Sequence, residues 1–357
     1  MRVTRDDVAK KAGVSNAVVS YVLNNGPRPV APETRQRVLQ AIQELGYRTN
    51  QIASSLRAQR THTLGLIIPD ISNPYFSELA KGVEDYAYQN GYSVILGSTN
   101  DNALIRTSHV ENFSSRKVEG IIFANMEVNS KELDLMLEYH IPVVYISPES
   151  DLDPETREKI SWISIDLESG GYLAGQHLIE RGHRRLACIT GGSPKPGSSL
   201  WSWQRVNGFL VAIHEAGLDA QVIQSIDHPK EGYQAAIRLL KSEERPTAIF
   251  TGNDLLAIGV LRAAADLKLR VPQDLAICGF DDISLTNYVS PRLTTIRIEK
   301  YQQGWEAARM ILGRLDEIRR KAAKVKTVFR YQTIGMVVVA ALFILSTVSD
   351  VLFFSGR

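Results

Sequence analysis

Chemistry-bearing motifs are scarce in this chain. Two cysteines in 357 residues leave little for redox or metal chemistry. Cys188 and Cys278 each sit in an apolar run, LACIT and LAICGF, and read as reduced core thiols of a protein in a reducing cytoplasm rather than as a disulfide or metal pair. The seven histidines show no HExxH or other metal-ligand spacing, so no metal site and no cofactor is expected. No GxSxG nucleophile elbow is present, and the glycine-rich stretch TGGSPKPGSS lacks the Lys–Ser/Thr pair of a phosphate-binding loop. Together these absences argue against an enzyme. The opening residues, MRVTRDDVAKK, have no apolar core, so no secretory signal peptide is expected, which argues against an exported binding protein.

Net charge is also nearly absent, at +2, but it is unevenly spread. Residues 1–60 hold ten Lys and Arg against four Asp and Glu, whereas the other 297 residues hold 31 against 35. A basic N-terminal module on a mildly acidic body suggests a head that binds a polyanion. Within that module, three short helices are expected over Asp6–Ala12, Ser15–Asn24 and Glu33–Leu45. Gly13 allows the tight turn between the first two, Ser15 is placed as N-cap of the second, and Gly46 ends the third. Val8, Ala12, Val14, Val19, Val22 and Leu23 can close a small core against Val38, Ala41, Ile42 and Leu45.

That spacing is a helix-turn-helix. Asn16, Ala17, Ser20 and Tyr21 fall on the face of the second helix away from Val19 and Val22, where a helix lying in the major groove touches base edges. Arg2, Arg5, Lys10, Lys11, Arg35 and Arg37 are candidates for phosphate contact. The next segment, NQIASSLRA at 50–58, is short, with small residues around Leu56. Such a leucine can wedge between base steps in the minor groove, with Arg57 and Arg60 near phosphates; a plain linker is the alternative.

From Thr63 the pattern alternates apolar strand-like runs with helical stretches: 64–68, 92–97, 120–124, 143–146, 162–165, 186–190, 247–251, 275–280 and 294–298. This predicts parallel sheets covered by helices, in two α/β lobes. Ligands of such sheets bind beyond the carboxyl ends of strands. Asp70, Asn73, Tyr75, Phe76, Asp166, Asn253, Asp254, Asp281 and Asp282 occupy such positions, and Trp201, Trp203 and Arg205 follow the loop 191–199. Carboxylates, amides and an arginine suit hydroxyl groups, and flat rings suit a sugar face. Any single Asp among them is better read as a cap of the following helix, and the set as a whole points to a ligand more than its members do.

Residues 3–60 resemble the DNA-binding head and hinge of the LacI–GalR family of bacterial transcription regulators. VTRDDVAKKAGVS, SYVLNN, ETRQRVLQAIQELGY and NQIASSLRAQRTHTLGLIIPDISNPYF carry the likeness. It continues through HLIERGHRRLACITG, RPTAIFTGNDLLAIGVLRAAADLKLRVPQDLAICGFDD and SPRLTTI, to about residue 318. The resemblance implies an all-α helix-turn-helix head over 1–48, a hinge helix and linker over 49–61, and a two-lobed, periplasmic-binding-protein-like α/β body over 62–318. It implies a homodimer that binds double-stranded DNA at a pseudo-palindromic operator, with a small effector that sets operator affinity. By position, Asn16, Ala17 and Tyr21 fall where the family reads bases, and Ser15, Ser20 and Asn24 where it contacts phosphate. Leu56 falls on the minor-groove wedge. Tyr75, Phe76, Arg205 and Asp281 fall in the effector cleft, with Asp166 and Asn253 nearby and Trp201 at a variable cleft position. A sugar or sugar derivative is expected before a purine. Val18 departs from the family's usual threonine.

The chain leaves the resemblance at its end. A basic linker, 319–330, precedes an apolar tail, 331–354, in which the 19 residues Tyr331 to Ser349 carry no charge. As a helix they would rise about 28 Å, close to a bilayer's hydrocarbon thickness. The basic residues before them would keep head and body on the cytoplasmic side of an inner membrane. A buried strand, favoured by Val337, Val338 and Val339, and a chimeric or frameshifted end are the alternatives.

Overall fold

A computed structural model of the chain describes residues 3–24, 26, 28–47, 60–124, 130–146, 160–191 and 200–321. The chain divides into two compact units, with the boundary between Thr61 and His62.

The first unit is the three-helix head. Helix α1 (Arg5–Ala12) opens with a capping box in which the Thr4 hydroxyl accepts from the Asp7 N–H while the Asp7 carboxylate accepts from the Thr4 N–H at 2.8 Å. Gly13 follows at φ 66°, a left-handed conformation that glycine adopts without steric cost, and it turns the chain into α2 (Asn16–Asn24). Helix α3 (Pro32–Leu45) carries Pro32 in its first turn and ends at Gly46, as the residue pattern requires. Val8, Ala9, Ala12, Val19, Val22, Val38 and Ala41 form the buried centre, with Val14, Leu23, Ile42 and Leu45 packed around it. Lys11 pairs with Glu44 at 2.7 Å and ties α1 to α3.

The second unit holds two five-stranded sheets, and every strand pairing in them is parallel. The first lobe runs β1 (Thr63–Ile68), α4 (Pro74–Gln89), β2 (Ser93–Ser98), α5 (Ala103–Ser115), β3 (Gly120–Ala124), α6 (Ser130–Glu138), β4 (Val143–Ile146) and β5 (Ser161–Ile163). Its strand order is β2-β1-β3-β4-β5. The second lobe runs α7 (Leu167–Glu180), β6 (Leu186–Gly191), α8 (Leu200–Glu215), β7 (Ala220–Ser225), α9 (Pro229–Leu240), β8 (Ala248–Thr251), α10 (Asp254–Asp266), β9 (Ala276–Asp281) and β10 (Thr294–Arg297), in the order β10-β9-β8-β6-β7. A final helix, α11 (300–321), returns to the first lobe, where Ile311 lies over Gly120 and Arg319 bonds Glu119 and the Tyr92 hydroxyl.

Central strands buried on both faces read as unbroken apolar runs, and β3 and β6 are buried at every position. Strand β7, at the edge of its sheet, has the mixed sequence AQVIQS and so is absent from the apolar runs of the sequence. Helix α5 buries only Arg106, Val110 and Phe113. Both cysteines are free and buried, and desolvation pushes the Cys278 thiol up to about 12 and Cys188 higher still. Leu56 and Arg57, with the rest of the expected hinge, lie outside the described residues, as do the apolar tail 331–354 and the linker beyond 321. Among the described residues no helix is long and apolar enough to cross a membrane, and no cluster of His, Cys, Asp and Glu could hold a metal ion.

Candidate DNA-reading face and effector site

In the head, the turn at Gly13 brings the start of α2 to the surface. Ser15, Asn16 and Ala17 are exposed, and Ser20 and Tyr21 are half-buried on the side of α2 opposite Val19 and Val22. Ser15 caps the helix, its Oγ accepting from the Val18 N–H at 3.4 Å. The Asn16 amide nitrogen donates to the Asp6 carboxylate on α1. Asn24 ends the helix; its side chain lies outside the described residues. Of the expected phosphate contacts, Arg35 and Arg37 are exposed, whereas the Arg5 Nε is buried with no hydrogen-bond partner among the described residues.

In the body, close backbone packing places the arginine. Helices α7 and α8 meet at Gly171 and Gly208. A Cβ on Gly171 would overlap the Arg205 carbonyl, and one on Gly208 the Glu168 carbonyl, so only glycine lets the helices approach this closely. Arg205 is thereby carried to the carboxyl ends of β8 and β9. It is only 9% exposed. Its guanidinium lies over the Phe280 ring, 4.4 Å from the centroid, donates to the Gly252 carbonyl, and sits 3.4 Å from Asp281 Oδ1. Asp281 ends β9 at φ 106° and is 3% exposed. Burial pushes its carboxyl up to about 6, with Arg205 and Lys300 acting against the rise and Asp227 adding to it. Among the described residues the Arg205 Nε and Asp281 Oδ1 are both buried without a hydrogen-bond partner, although Oδ1 is ion-paired with the other end of the same guanidinium.

Tyr75 and Phe76, in the first turn of α4, are buried and meet edge to face at 5.0 Å. The Tyr75 hydroxyl donates to Gln303 on α11 at 2.9 Å. Asn253 and Asp166 are N-caps. Asn253 accepts from the Leu256 N–H at the start of α10, and Asp166 takes both the N–H and the hydroxyl of Ser169, at 2.9 and 2.6 Å. Those bonds hold the Asp166 carboxyl below its ordinary range. Asp166 is exposed, so the structure gives it the capping role, while Asn253 is buried and also bonds Asp227. Trp201 starts α8, its side chain outside the described residues. Asp70 closes its own turn on Ser72 and Asn73 caps α4.

Two carboxylates escaped the sequence reading. Asp101 follows β2 in the first lobe, and Asp227 follows β7 in the second. Asp227 turns its carboxyl group in against Gly191 and accepts from that residue's N–H. Both carboxyls are held above their ordinary range, first by desolvation, and the charge of Asp101 in the first lobe also raises Asp227 in the second. The rule that ligands meet strand ends would have found Asp101. Asp227 was hidden because β7 itself was. A third addition is Lys300, buried at the start of α11. Its ammonium donates to the carbonyls of Asp281 and Asp282 at 3.1 and 2.7 Å and pairs with Glu78 of α4 at 3.3 Å, bridging the lobes beside the site.

Two family profiles match the chain. Residues 4–50 match the bacterial regulatory proteins of the lacI family, and residues 175–332 a periplasmic binding protein-like domain. Catabolite control protein A of Priestia megaterium is 37% identical, over 87% of this chain and 92% of that protein. The HTH-type transcriptional repressor PurR of Edwardsiella ictaluri is 36% identical, over 90% of this chain and 93% of that one. Among solved structures, the Lac repressor dimer bound to operator and the anti-inducer ONPF superposes with a TM-score of 0.77 at 25% identity, covering 89% of this chain and 94% of that one. The transcriptional regulator CelR with cellobiose gives 0.64 at 27% identity, covering 88% and 94%.

Proposed function

Because the chain belongs to the lacI family of bacterial regulatory proteins, and is a DNA-binding transcription regulator rather than an enzyme, we propose that an uncharged polyhydroxylated effector, a sugar or sugar derivative, sets its operator affinity. The observation that carries this reading is the pair of open atoms on Arg205 and Asp281. A hydroxyl both donates and accepts, so the hydroxyls of one ligand suit the Nε donor and the Oδ1 acceptor alike. Asp101, Asp227 and Asn253 supply further polar groups from both lobes, and Tyr75 and Phe76 supply rings. With the carboxylates of Asp101, Asp227 and Asp281 and that of Glu78 against the cations of Arg205 and Lys300, the site disfavours an anion, so phosphorylated sugars should bind poorly. A ligand touching Asp101 and Asp227 together would draw the lobes towards one another, and Lys300 links both lobes to the Asp281 carbonyl.

On the DNA side, we propose that Asn16, Ala17 and Tyr21 read bases and that Ser15, Ser20, Asn24 and Arg57 contact phosphate, with Leu56 wedging into the minor groove. A homodimer on a pseudo-palindromic operator in the cytoplasm follows from this reading, supported by the likeness to the operator-bound Lac repressor dimer.

Thermal-shift titration of the full chain with neutral sugars, purine bases and phosphorylated sugars tests the effector class. A neutral sugar should raise the body's melting temperature, and the same sugar should change the affinity for a selected operator duplex. Stabilisation by a sugar phosphate or a purine alone would overturn the proposal.

A further inference from the structure

The turn that carries Asp281 is strained, and part of what holds it comes from the opposite lobe. Asp281 at φ 106° and Asp282 at φ 54° are consecutive non-glycine residues with positive φ, a conformation that persists only where the surroundings enforce it. The N–H groups of the turn are held from its own lobe. That of Asp282 donates to the Thr295 hydroxyl at 3.3 Å, and that of Ile283 to the Asp254 carboxylate at 2.8 Å. The two carbonyls go to Lys300, whose ammonium donates to Asp281 at 3.1 Å and to Asp282 at 2.7 Å. The Ile298 N–H also reaches the Asp281 carbonyl, but at 3.5 Å.

Lys300 opens α11, and α11 is seated on the first lobe. A Cβ on Gly82 would overlap the Tyr301 carbonyl and one on Gly304 the Leu79 carbonyl, so α4 and α11 meet backbone to backbone. From α4, Glu78 completes the arrangement. One of its oxygens lies 3.3 Å from the Lys300 ammonium, and the other accepts from the Ser284 N–H, just past the turn, at 3.3 Å. An ammonium has three donors, and this one faces three oxygens, two from the second lobe and one from the first. Lys300 is 6% exposed, so water does not replace a bond that is lost there. We propose that Lys300, seated by Glu78, is a positioning residue for the effector site: from the first lobe it holds the turn that aims the Asp281 carboxylate at Arg205, so that Asp281 is set to receive a ligand group only in this arrangement of the lobes. Lys300 and Glu78 act through Asp281 and need no contact with the effector themselves.

The proposal rests on Asp281 being an effector contact. Hydrogen exchange of the full chain without ligand tests the hold itself. Lys300→Met keeps the aliphatic stem and removes all three donors. In it the amides of Asp282, Ile283 and Ser284 should exchange about tenfold faster, while those of β3 and β8 keep their wild-type rates. Glu78→Gln leaves Lys300 in place without its counter-charge, and should speed the same three amides about threefold. Wild-type exchange at these amides in the methionine variant would overturn the proposal, as would faster exchange throughout the body, and an unchanged Glu78→Gln would overturn the hold from the first lobe. Calorimetry then reads the consequence for binding, with whichever of D-glucose, D-ribose, cellobiose and adenine most stabilises the wild type as the probe. A probe of either class serves, so a failure of the sugar reading leaves this test standing. Lys300→Met should weaken the probe about tenfold, whereas Lys300→Arg, which again offers donors to both carbonyls, should stay within about threefold of the wild type. A role of the stem in packing predicts instead that the methionine variant binds as the wild type does, and that result overturns the proposal, as does an arginine variant no better than the methionine one. Asp281→Ala separates the premise. If it leaves the probe's affinity unchanged, Asp281 is no effector contact and both readings fall; if it weakens the probe while Lys300→Met does not, only the positioning falls.

Discussion

At the scale of single residues, the body stores its tension in carboxylates. Asp281 is pushed up to about 6 and Asp254 up to about 7, both first by burial. Asp254 is fully buried, accepts from the Ile283 N–H at 2.8 Å and the Thr295 hydroxyl at 2.6 Å, and is raised further by Asp281. A carboxyl raised in the folded state binds its proton more tightly there than in the unfolded chain. Its cost is therefore absent below the unfolded value near 4, grows as pH rises through the window up to the folded values, and is constant above them. The unliganded body should lose stability between about pH 4 and 7, and Asp254→Asn, which has no charge to bury, should flatten that fall in thermal melts at stepped pH. A melting temperature that rises across this window would refute the assignment. Arg205→Ala leaves the Asp281 carboxylate buried without its cation, and breaking such a pair costs about 3–5 kcal/mol. Arg205→Ala together with Asp281→Ala should recover much of that stability in urea titrations, yet neither the single nor the double variant should bind the effector.

At the scale of elements, several residues that looked like ligand contacts are helix caps. Asp166 spends both oxygens on Ser169 at the head of α7. Asp166→Ala should lower body stability by about 1 kcal/mol, the usual value of a lost N-cap, and leave effector affinity within twofold. Calorimetry of effector binding on this variant decides the matter, since a tenfold loss would return Asp166 to the site. The strand-end rule could not separate these roles, because a residue after a parallel strand is both next to the ligand and first in the following helix. Which role it takes depends on where its oxygens point. Ser15, by contrast, was legible as a cap from spacing, since a helix-turn-helix confines it to one short local geometry, whereas the Thr4 cap came only with the structure.

At the scale of the whole molecule, the division of charge makes a separate prediction. Cations concentrated in the first 60 residues should give duplex binding a steep salt dependence, falling about a thousandfold or more between 50 and 200 mM salt if six or more phosphates are neutralised. With the proposed effector site in the other unit, a saturating effector should shift the affinity at every salt concentration and leave the slope of log affinity against log salt unchanged. A slope that changes with effector would mean that the ligand alters the phosphate contacts themselves.

The order of helices in the head, the alternation of strands and helices in the body and the basic character of the first unit were all written in the sequence. They rest on local periodicity, turn residues and composition, each of which acts within a few residues of the chain. Strand β7 was not, because its sequence AQVIQS sets glutamines among the apolar residues and forms no apolar run. The site itself was legible only as a set of strand ends. Tertiary structure alone decided that Arg205 reaches Asp281, 76 positions on, from a helix that glycines let pack tightly, and that Asp101 of one lobe influences Asp227 of the other. Each of those joins residues far apart in sequence and is fixed by how elements pack, and no single stretch of chain contains the information that determines it.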